Sequence, residues 1–423
     1  MLLTRFKTLL KGNFLRSILV LMTGTASIQL MNFLITPIIT RLYSPEALGA
    51  LGLFTSIIGL IVVVAVFSYP AAIVIVKSDR AAENLINACI KIMSLACVCV
   101  IFSIFIFYLI QLNEINYIPL FILLAAYPAC INSIYTQAVI RKRQFKALAF
   151  ITFISALAVA VFKVLLGVLK PSSESLLLSA TIGFFLSSYL MHISLKRENL
   201  PISFTKLSIK ENYFLRKYSR FPKYRMPQAL NASLSQIIPI SLLSYFFGIA
   251  EAGYFSLTRS VMMVPVSIMG KAVFDVTYPK LSQDFSEKPI FKFLVLSSVV
   301  LIVISALPIL TLFIWGEELF ILVFGLDWKQ SGVYASCMSM WFLFGIANRT
   351  CLAAIPLLHL DKFQLKNSVV NLILSTFAFL FSFYIWESDT KAIFSFFSVA
   401  TLAQLVLIIK VLTTARSSDL RLF

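Results

Sequence analysis

The feature that most constrains the fold is a series of about twelve long apolar stretches that fills nearly the whole chain. A helix needs about 20 apolar residues to cross the hydrocarbon core of a bilayer. The stretches are continuously apolar and do not alternate, which excludes a transmembrane barrel. Hydrophobic residues make up 60% of the chain and charged residues 13%, so we predict an all-α integral membrane protein. The predicted spans are 17–40, 49–76, 85–110, 117–140, 147–169, 175–195, 226–248, 254–279, 290–314, 333–358, 366–386 and 392–412.

The net charge of +18 follows the predicted topology. With the N-terminus in the cytoplasm, 27 of the 36 Lys and Arg residues fall in segments assigned to the cytoplasmic side. The segments assigned to the outer side hold only Arg41, Lys170, Lys329 and Lys391. This is the distribution that the positive-inside rule predicts for twelve spans with both termini cytoplasmic. The basic composition therefore reflects topology, and no nucleic-acid partner is expected.

The sequence also indicates a duplication. A basic cytoplasmic linker, residues 196–225, separates two halves of six predicted spans, residues 1–195 and 226–423. Similar turns, Leu42–Gly49 and Phe246–Gly253, lie 204 residues apart and join the first two spans of each half. Because each half has an even number of spans, the repeat would be parallel, which predicts two related six-helix lobes. The alternative is a coincidence of common loop residues.

Apart from the cations counted above at cytoplasmic helix ends, five lie inside predicted spans, where hydrocarbon disfavours charge: Lys91, Lys163, Arg259, Lys271 and Arg349. A cation near mid-bilayer costs at least about 2.5–3.5 kcal/mol, so it usually faces a wet cavity. We predict that Lys163, Arg259, Lys271 and Arg349 bind an anionic substrate in such a cavity. Asp275 lies one helical turn after Lys271, so a structural salt bridge and a role in ion coupling both remain open.

Neutral polar residues follow one face of the first span and the corresponding helix of the second half. The predicted cavity residues are Thr25, Gln29, Asn32, Thr36, Asn231 and Gln236. Spacings of three and four residues place those of the first span on one helical face. They either line a water-filled cavity or bond neighbouring helices, as such residues often do in membranes.

Signals of an enzyme or a metal site are poor. The chain has two histidines, both at predicted cytoplasmic helix ends, and shows no P-loop, GxSxG or HExxH pattern. Its six cysteines lie in apolar segments without CxxC spacing. Acidic residues near 317–318 and 387–389 are assigned to a solvated outer rim. We therefore predict no catalytic residues, no metal and no cofactor.

A family resemblance rests on the first external turn. The turn contains the run Pro37-Ile38-Ile39-Thr40-Arg41-Leu42-Tyr43-Ser44-Pro45-Glu46, followed by Gly49. It is preceded by Thr23-Gly24-Thr25 and Gln29. A later helix ends near Tyr69-Pro70-Ala71-Ala72-Ile73-Val74. This pattern resembles the opening of bacterial polysaccharide flippases, in which the turn reads P-x-x-T-R-L-[YF]-[ST]-P-E-x-[FY]-G. Leu48 departs from it, since an aromatic residue is common there. The resemblance is to Wzx-type O-antigen flippases of the multidrug/oligosaccharidyl-lipid/polysaccharide exporter (MOP) superfamily.

That resemblance implies a function in lipopolysaccharide biosynthesis. Such proteins move undecaprenyl-pyrophosphate-linked oligosaccharides from the inner to the outer leaflet of the bacterial inner membrane by alternating access. Coupling to a gradient of H⁺ or Na⁺ is implied, and the expected partners are membrane lipid, a polysaccharide polymerase and a chain-length regulator. A multidrug/cation antiporter is the first alternative, although it would favour acidic intramembrane residues. A membrane glycan polymerase or acyltransferase would need a catalytic His or a large outer loop.

The topology can be checked by reporter fusions at Leu112, Glu251 and Glu387. We expect all three to report the periplasm, because the positive-inside rule assigns their segments to the outer side. Cytoplasmic signals at two of these positions would contradict the twelve-span topology.

Overall fold

The computed structural model describes residues 13–76, 78–110, 117–196, 209–284 and 289–419, with the backbone alone described at a few of them. Twelve long helices account for most of these residues. They are α1 (Asn13–Leu42), α2 (Pro45–Val66), α3 (Asp79–Ile110), α4 (Ile118–Arg141), α5 (Phe145–Leu169), α6 (Ser173–Lys196), α7 (Met226–Phe246), α8 (Ile249–Asp284), α9 (Phe291–Phe324), α10 (Lys329–Ala354), α11 (Asp361–Trp386) and α12 (Asp389–Asp419). Short helices occupy Pro70–Ile73 and Ile209–Lys217, and no strand occurs in the described ranges.

The predicted all-α membrane fold is confirmed, with one long helix for each predicted span. Nine helices of the described chain are apolar and long enough to cross a membrane. The other three are α1, which is apolar over Ala26–Leu42, and the more polar α8 and α10. Continuous helix is the physical consequence of apolar sequence in lipid, since each helix satisfies its own backbone hydrogen bonds.

Contacts divide the chain into two compact units. The first contains Met1–Tyr43 and Ala50–Ile237, and the second contains Ser44–Gly49 and Ile238–Phe423. The first unit thus includes the beginning of α7, whereas the second half of the sequence repeat begins at residue 226. The repeat boundary stays a prediction.

Helix packing within each unit follows the same order. In the first unit α3 packs on α4, α4 on α6 and α5 on α6. In the second unit the equivalent pairs, α9 with α10, α10 with α12 and α11 with α12, also pack together. The aromatic rings of Phe246 and Phe383 add a contact between α7 and α11, which mirrors the packing of α1 on α5. This agreement supports the duplication indicated by the two turns.

The helix α9 is longer than its predicted span, 290–314. At Trp315 the backbone leaves helical geometry (φ −115°, ψ 26°), and the helix then continues to Phe324. Beyond this kink Gly316 packs against the backbone of Gly332 in α10, and Glu317 pairs with Lys329 at 2.9 Å. The residues around 317 therefore belong to a packed helical extension, which the hydropathy pattern alone did not separate from a loop.

The two similar turns contribute a close helix crossing within the second unit. A Cβ atom on Gly49 would collide with the carbonyl oxygen of Ile249 and lie 3.0 Å from the backbone nitrogen of Gly253. Conversely, a Cβ atom on Gly253 would collide with the carbonyl oxygen of Pro45 and lie 3.1 Å from the nitrogen of Gly49. Backbones at this separation leave no room for a side chain, which explains the glycine that ends each turn.

Substitution of either glycine tests this crossing. We expect Gly253→Ala to lower the free energy of unfolding by about 1–3 kcal/mol, because a methyl group would force the two backbones apart. Thermal unfolding in detergent provides the measurement. Gly59→Ala is the matched control in α2, since no heavy atom lies within 4 Å of its added Cβ. Equal unfolding temperatures for the two variants would contradict a tight crossing.

Candidate functional site

An open cavity with a mostly apolar lining lies in the first unit, between α2, α4 and the beginning of α7. Its volume is about 440 Å³, within the usual range for small-molecule sites. One wall is apolar and comes from Val62, Val63 and Val66 of α2. The polar lining consists of Ser68, Ser133, Gln137, Arg225 and Gln228. One guanidinium with two amides and two hydroxyls can bind an anionic group that carries further hydrogen-bonding groups.

The cavity wall includes a left-handed break in the backbone. Phe67 and Ser68 have φ values of 50° and 56°, which separates α2 from the short helix Pro70–Ile73. Two consecutive non-glycine residues in this region are uncommon and persist only when the surrounding structure holds them. Sequence analysis singled out the neighbouring run that begins at Tyr69, but it assigned no cavity there.

Arg141 at the end of α4 holds the segment after this break. Its Nη1 donates hydrogen bonds to the carbonyl oxygens of Ile73, at 3.1 Å, and of Val76. Its Nη2 donates to Oδ1 of Asp79 at 3.0 Å, and Lys142 pairs with the same carboxylate. Only 11% of the Arg141 side chain is exposed. Sequence analysis counted Arg141 only among the cations of the cytoplasmic segments. Its contacts hold Ile73, Val76 and Asp79 in place, in the segment that follows the cavity wall.

Lys163 lies in α5 of the first unit and is half-buried. Its backbone carbonyl oxygen accepts a hydrogen bond of 2.7 Å from the hydroxyl of Tyr43, whose ring also packs on Gly167. This contact accounts for the aromatic residue in the turn motif. The ammonium group of Lys163, in contrast, has no ion-pair or hydrogen-bond partner within the described part of the chain.

Arg349 lies in α10 of the second unit and packs against α8. A Cβ atom on Gly270 would lie 3.0 Å from its Nε, so the guanidinium covers that glycine. The Nε is buried without a hydrogen-bond partner, as is Oδ1 of the neighbouring Asn348. Among the side chains that the structure describes, Arg349 forms no ion pair.

The other predicted site residues occupy several environments. Arg259 is half-buried in α8, and the side chains of Lys271 and Asp275 in that helix lie outside the described residues. In α1 the side chain of Thr25 is likewise not described, Gln29 is half-buried and Asn32 is exposed.

Two predicted polar residues are engaged within their own helices. The Thr36 hydroxyl donates to the backbone carbonyl oxygen of Asn32 at 2.6 Å. The buried Asn231 of α7 accepts the Ser235 hydroxyl at its backbone oxygen. Gln236 lies farther along α7. The cavity roles of all these residues stay predictions.

Sequence analysis missed a half-buried carboxylate cluster in the second unit. The hydroxyl of Tyr334, a fully buried residue, lies 2.5 Å from Oε2 of Glu251 and 2.5 Å from Oδ2 of Asp389. Gln330 donates to the same oxygen of Asp389 at 2.6 Å. A hydroxyl has a single proton, so at any moment Tyr334 donates to only one of the two carboxylates. Asp389, which sequence analysis assigned to a solvated outer rim, is half-buried, because Tyr334 and Gln330 of α10 contact its carboxylate.

The fold is similar to that of several solved membrane transporters. An inward-facing multidrug resistance MATE family transporter of the MOP superfamily aligns with a TM-score of 0.69 and 11% identity, over 93% of this chain and 99% of that chain. The lipid II flippase MurJ, in its inward closed conformation, gives 0.68 and 15%, over 96% and 92%. A MOP superfamily transporter from Pyrococcus furiosus gives 0.61 and 15%, over 96% and 95%. The fold is that of a MOP superfamily transporter.

The family is identified by a match of the sequence to a family profile. The chain belongs to the polysaccharide biosynthesis protein family, whose profile matches residues 14–285. No curated protein sequence matches the chain. Family and fold confirm a multi-pass membrane transporter or flippase, as predicted, in place of a polymerase or acyltransferase.

The carboxylate cluster yields a prediction about stability. We expect Tyr334→Phe to lower the free energy of unfolding by about 1–3 kcal/mol, because two half-buried carboxyl groups lose their shared hydroxyl. Adding Glu251→Gln to this variant should restore part of the loss, since it removes one of the two facing acids. Thermal unfolding in detergent measures both effects. Tyr245→Phe is the control, because Tyr245 is 83% exposed. Unchanged stability in Tyr334→Phe would contradict the shared hydrogen bonds.

Proposed function

We propose that the protein translocates undecaprenyl-pyrophosphate-linked O-antigen repeat units from the inner to the outer leaflet of the bacterial inner membrane. Membership of the polysaccharide biosynthesis protein family supports a glycan cargo. The transporter fold supports translocation in place of bond formation. Both termini are assigned to the cytoplasm by the distribution of Lys and Arg.

The observation that carries this proposal is the presence of unpaired cations on spanning helices. Lys163 and Arg349 are half-buried and lack a carboxylate partner within the described ranges. Keeping such a group in a membrane is costly unless it serves a wet cavity or a ligand. A pyrophosphate head group is doubly anionic, so it offsets this cost through charge-assisted hydrogen bonds.

The cavity of the first unit suits the first encounter with such a head group. It lies among the ends of α2 and α4 and the beginning of α7, which the charge pattern assigns to the cytoplasmic side. In the proposal, Arg225 binds phosphate oxygens, while Gln137, Gln228 and the serine hydroxyls bind sugar hydroxyl groups.

Translocation by alternating access would move the polar head through the protein while the polyprenyl chain remains in the bilayer. An H⁺ or Na⁺ gradient is the proposed driving force, with Asp275 as the coupling carboxylate. The polysaccharide polymerase and the chain-length regulator are the proposed partners that receive the translocated unit.

Deletion of the gene tests the cargo directly. The strain should accumulate lipid-linked repeat units in the inner leaflet and lose surface polysaccharide, and a plasmid copy should restore both. Leaflet location is measured by access of an external glycan-modifying reagent. Normal leaflet distribution in the deletion strain would overturn the proposal. Export of cationic dyes, with repeat units unaffected, would instead support the antiporter alternative.

Charge substitutions in the complemented strain test the cations. We expect Arg349→Ala or Lys163→Ala to reduce surface polysaccharide at least about tenfold at normal protein levels, because each removes a charge-assisted contact worth more than 1.4 kcal/mol. Arg349→Lys should retain more activity than Arg349→Ala, since it keeps the charge. Lys170→Ala is the control, because Lys170 is 76% exposed and its surface pair with Glu174 contributes little. Full activity in both alanine variants would remove these cations from the site.

A further inference from the structure

A basic and aromatic surface precedes α7 in the first unit. Its cations are Arg216, Lys217, Arg220, Lys223 and Arg225, all of them exposed. Its aromatic residues include Tyr213 and Tyr224, which are 59% and 60% exposed. We name residues 213–225 the basic band. Neither its charge nor its exposed tyrosines is explained by the cavity or by the spanning cations.

The cations of the band lie over aromatic rings. The Lys217 ammonium is 5.8 Å from the ring centre of Tyr213, and that of Lys223 is 5.5 Å from the ring centre of Tyr224. The Arg225 guanidinium lies 5.8 Å from the ring of Phe221. Over the described side chains, none of these cations pairs with a carboxylate. Cation–π contacts at exposed sites are weak, so they leave the charges available to an external anion.

Packing holds the band in place. The helix Ile209–Lys217 packs on α3, and Leu215 is buried there. The carbonyl oxygen of Leu215 also accepts a hydrogen bond of 3.3 Å from the hydroxyl of Tyr69, next to the short helix Pro70–Ile73. The same region of the first unit therefore supports both the band and the cavity wall.

The band reaches the cavity through a π-helical turn. Residues Phe221–Arg225 form this turn directly before α7, and π-helical turns are frequent at functional sites. Arg225 is the last residue of the turn and also lines the cavity beside Gln228. The positive surface is thus continuous with the polar lining of the cavity.

The geometry points to the basic band as a docking surface for the diphosphate head group of a polyprenyl-linked glycan, from which Arg225 receives that head group into the cavity. Exposed tyrosines are typical of the membrane interface, where such a head group lies. Several clustered cations match a diphosphate in charge, and neighbouring Lys and Arg residues each strengthen attraction to an anionic head group. This inference rests on the proposed function and adds a place where the substrate is first bound.

Binding measurements on the full-length protein in phosphatidylcholine nanodiscs test the inference, with undecaprenyl pyrophosphate as the probe. We expect the triple variant Lys217→Gln, Arg220→Gln, Lys223→Gln to bind the probe about 10- to 100-fold more weakly than the wild type. None of these three residues lines the cavity. The exchange of Lys for Arg and Arg for Lys at the same positions should retain binding, which separates loss of charge from loss of folding.

A matched control removes the same charge elsewhere. Lys362→Gln, Lys366→Gln, Arg416→Gln changes three exposed cations that the charge pattern also assigns to the cytoplasmic side. This variant should bind undecaprenyl pyrophosphate within about threefold of the wild type, because none of its three cations belongs to the basic band or lines the cavity. An equal loss in band and control variants would overturn the inference in favour of general attraction.

Other outcomes distinguish failure of the basic band as a docking surface from failure of the proposed function. If phosphatidylglycerol in the nanodisc competes as effectively as the diphosphate probe, the band binds the bilayer surface and the inference fails. If the wild type translocates repeat units in cells while the band variant binds the probe as tightly as the wild type, only the band is excluded. Failure of the wild type to bind the probe would overturn the docking surface, and normal leaflet distribution in the deletion strain would overturn the proposed function.

Discussion

The structure depends on one constraint, which is that a backbone in hydrocarbon must satisfy its own hydrogen bonds. Helices do so internally, and the twelve long helices follow from it. The same medium removes the hydrophobic driving force between helices, so close backbone approach becomes important. Gly49 and Gly253 show the result, since each occupies a place where a Cβ atom would collide with the other helix. The two glycines occur at the corresponding turns of the predicted repeat.

Because hydrocarbon disfavours charge as well as unpaired backbone groups, a cation on a spanning helix indicates a functional role. Most Lys and Arg residues are kept at one predicted face, but Lys163 and Arg349 remain on spanning helices without a described partner. Carboxylates in the second unit are treated differently, because Glu251 and Asp389 share the hydroxyl of Tyr334. These two acids therefore share a hydrogen-bond donor, whereas Lys163 and Arg349 form no ion pair among the described side chains.

Sequence alone predicted the helices, whereas the roles of the predicted site residues stay predictions. A span such as 147–169 could be recognised because burial in lipid needs only length and continuous apolarity. The extension of α9 beyond Trp315 was missed, because its stability comes from Gly316 packing on Gly332. Asp389 was assigned to solvent, since sequence distance conceals its contact with Tyr334. Arg141 looked like a loop charge, although it holds three groups of a distant segment.

Sequence therefore determined the class of protein and the number of long helices, and it predicted an internal repeat. These properties follow from the hydropathy and the turn residues of single segments, which act locally along the chain. Only the tertiary structure decided which polar groups meet: the cavity near Arg225, the Tyr334 hydroxyl shared by Glu251 and Asp389, and the hydrogen bond between Tyr43 and α5. Such contacts join residues far apart in the chain, and their energies depend on distances that no local pattern encodes.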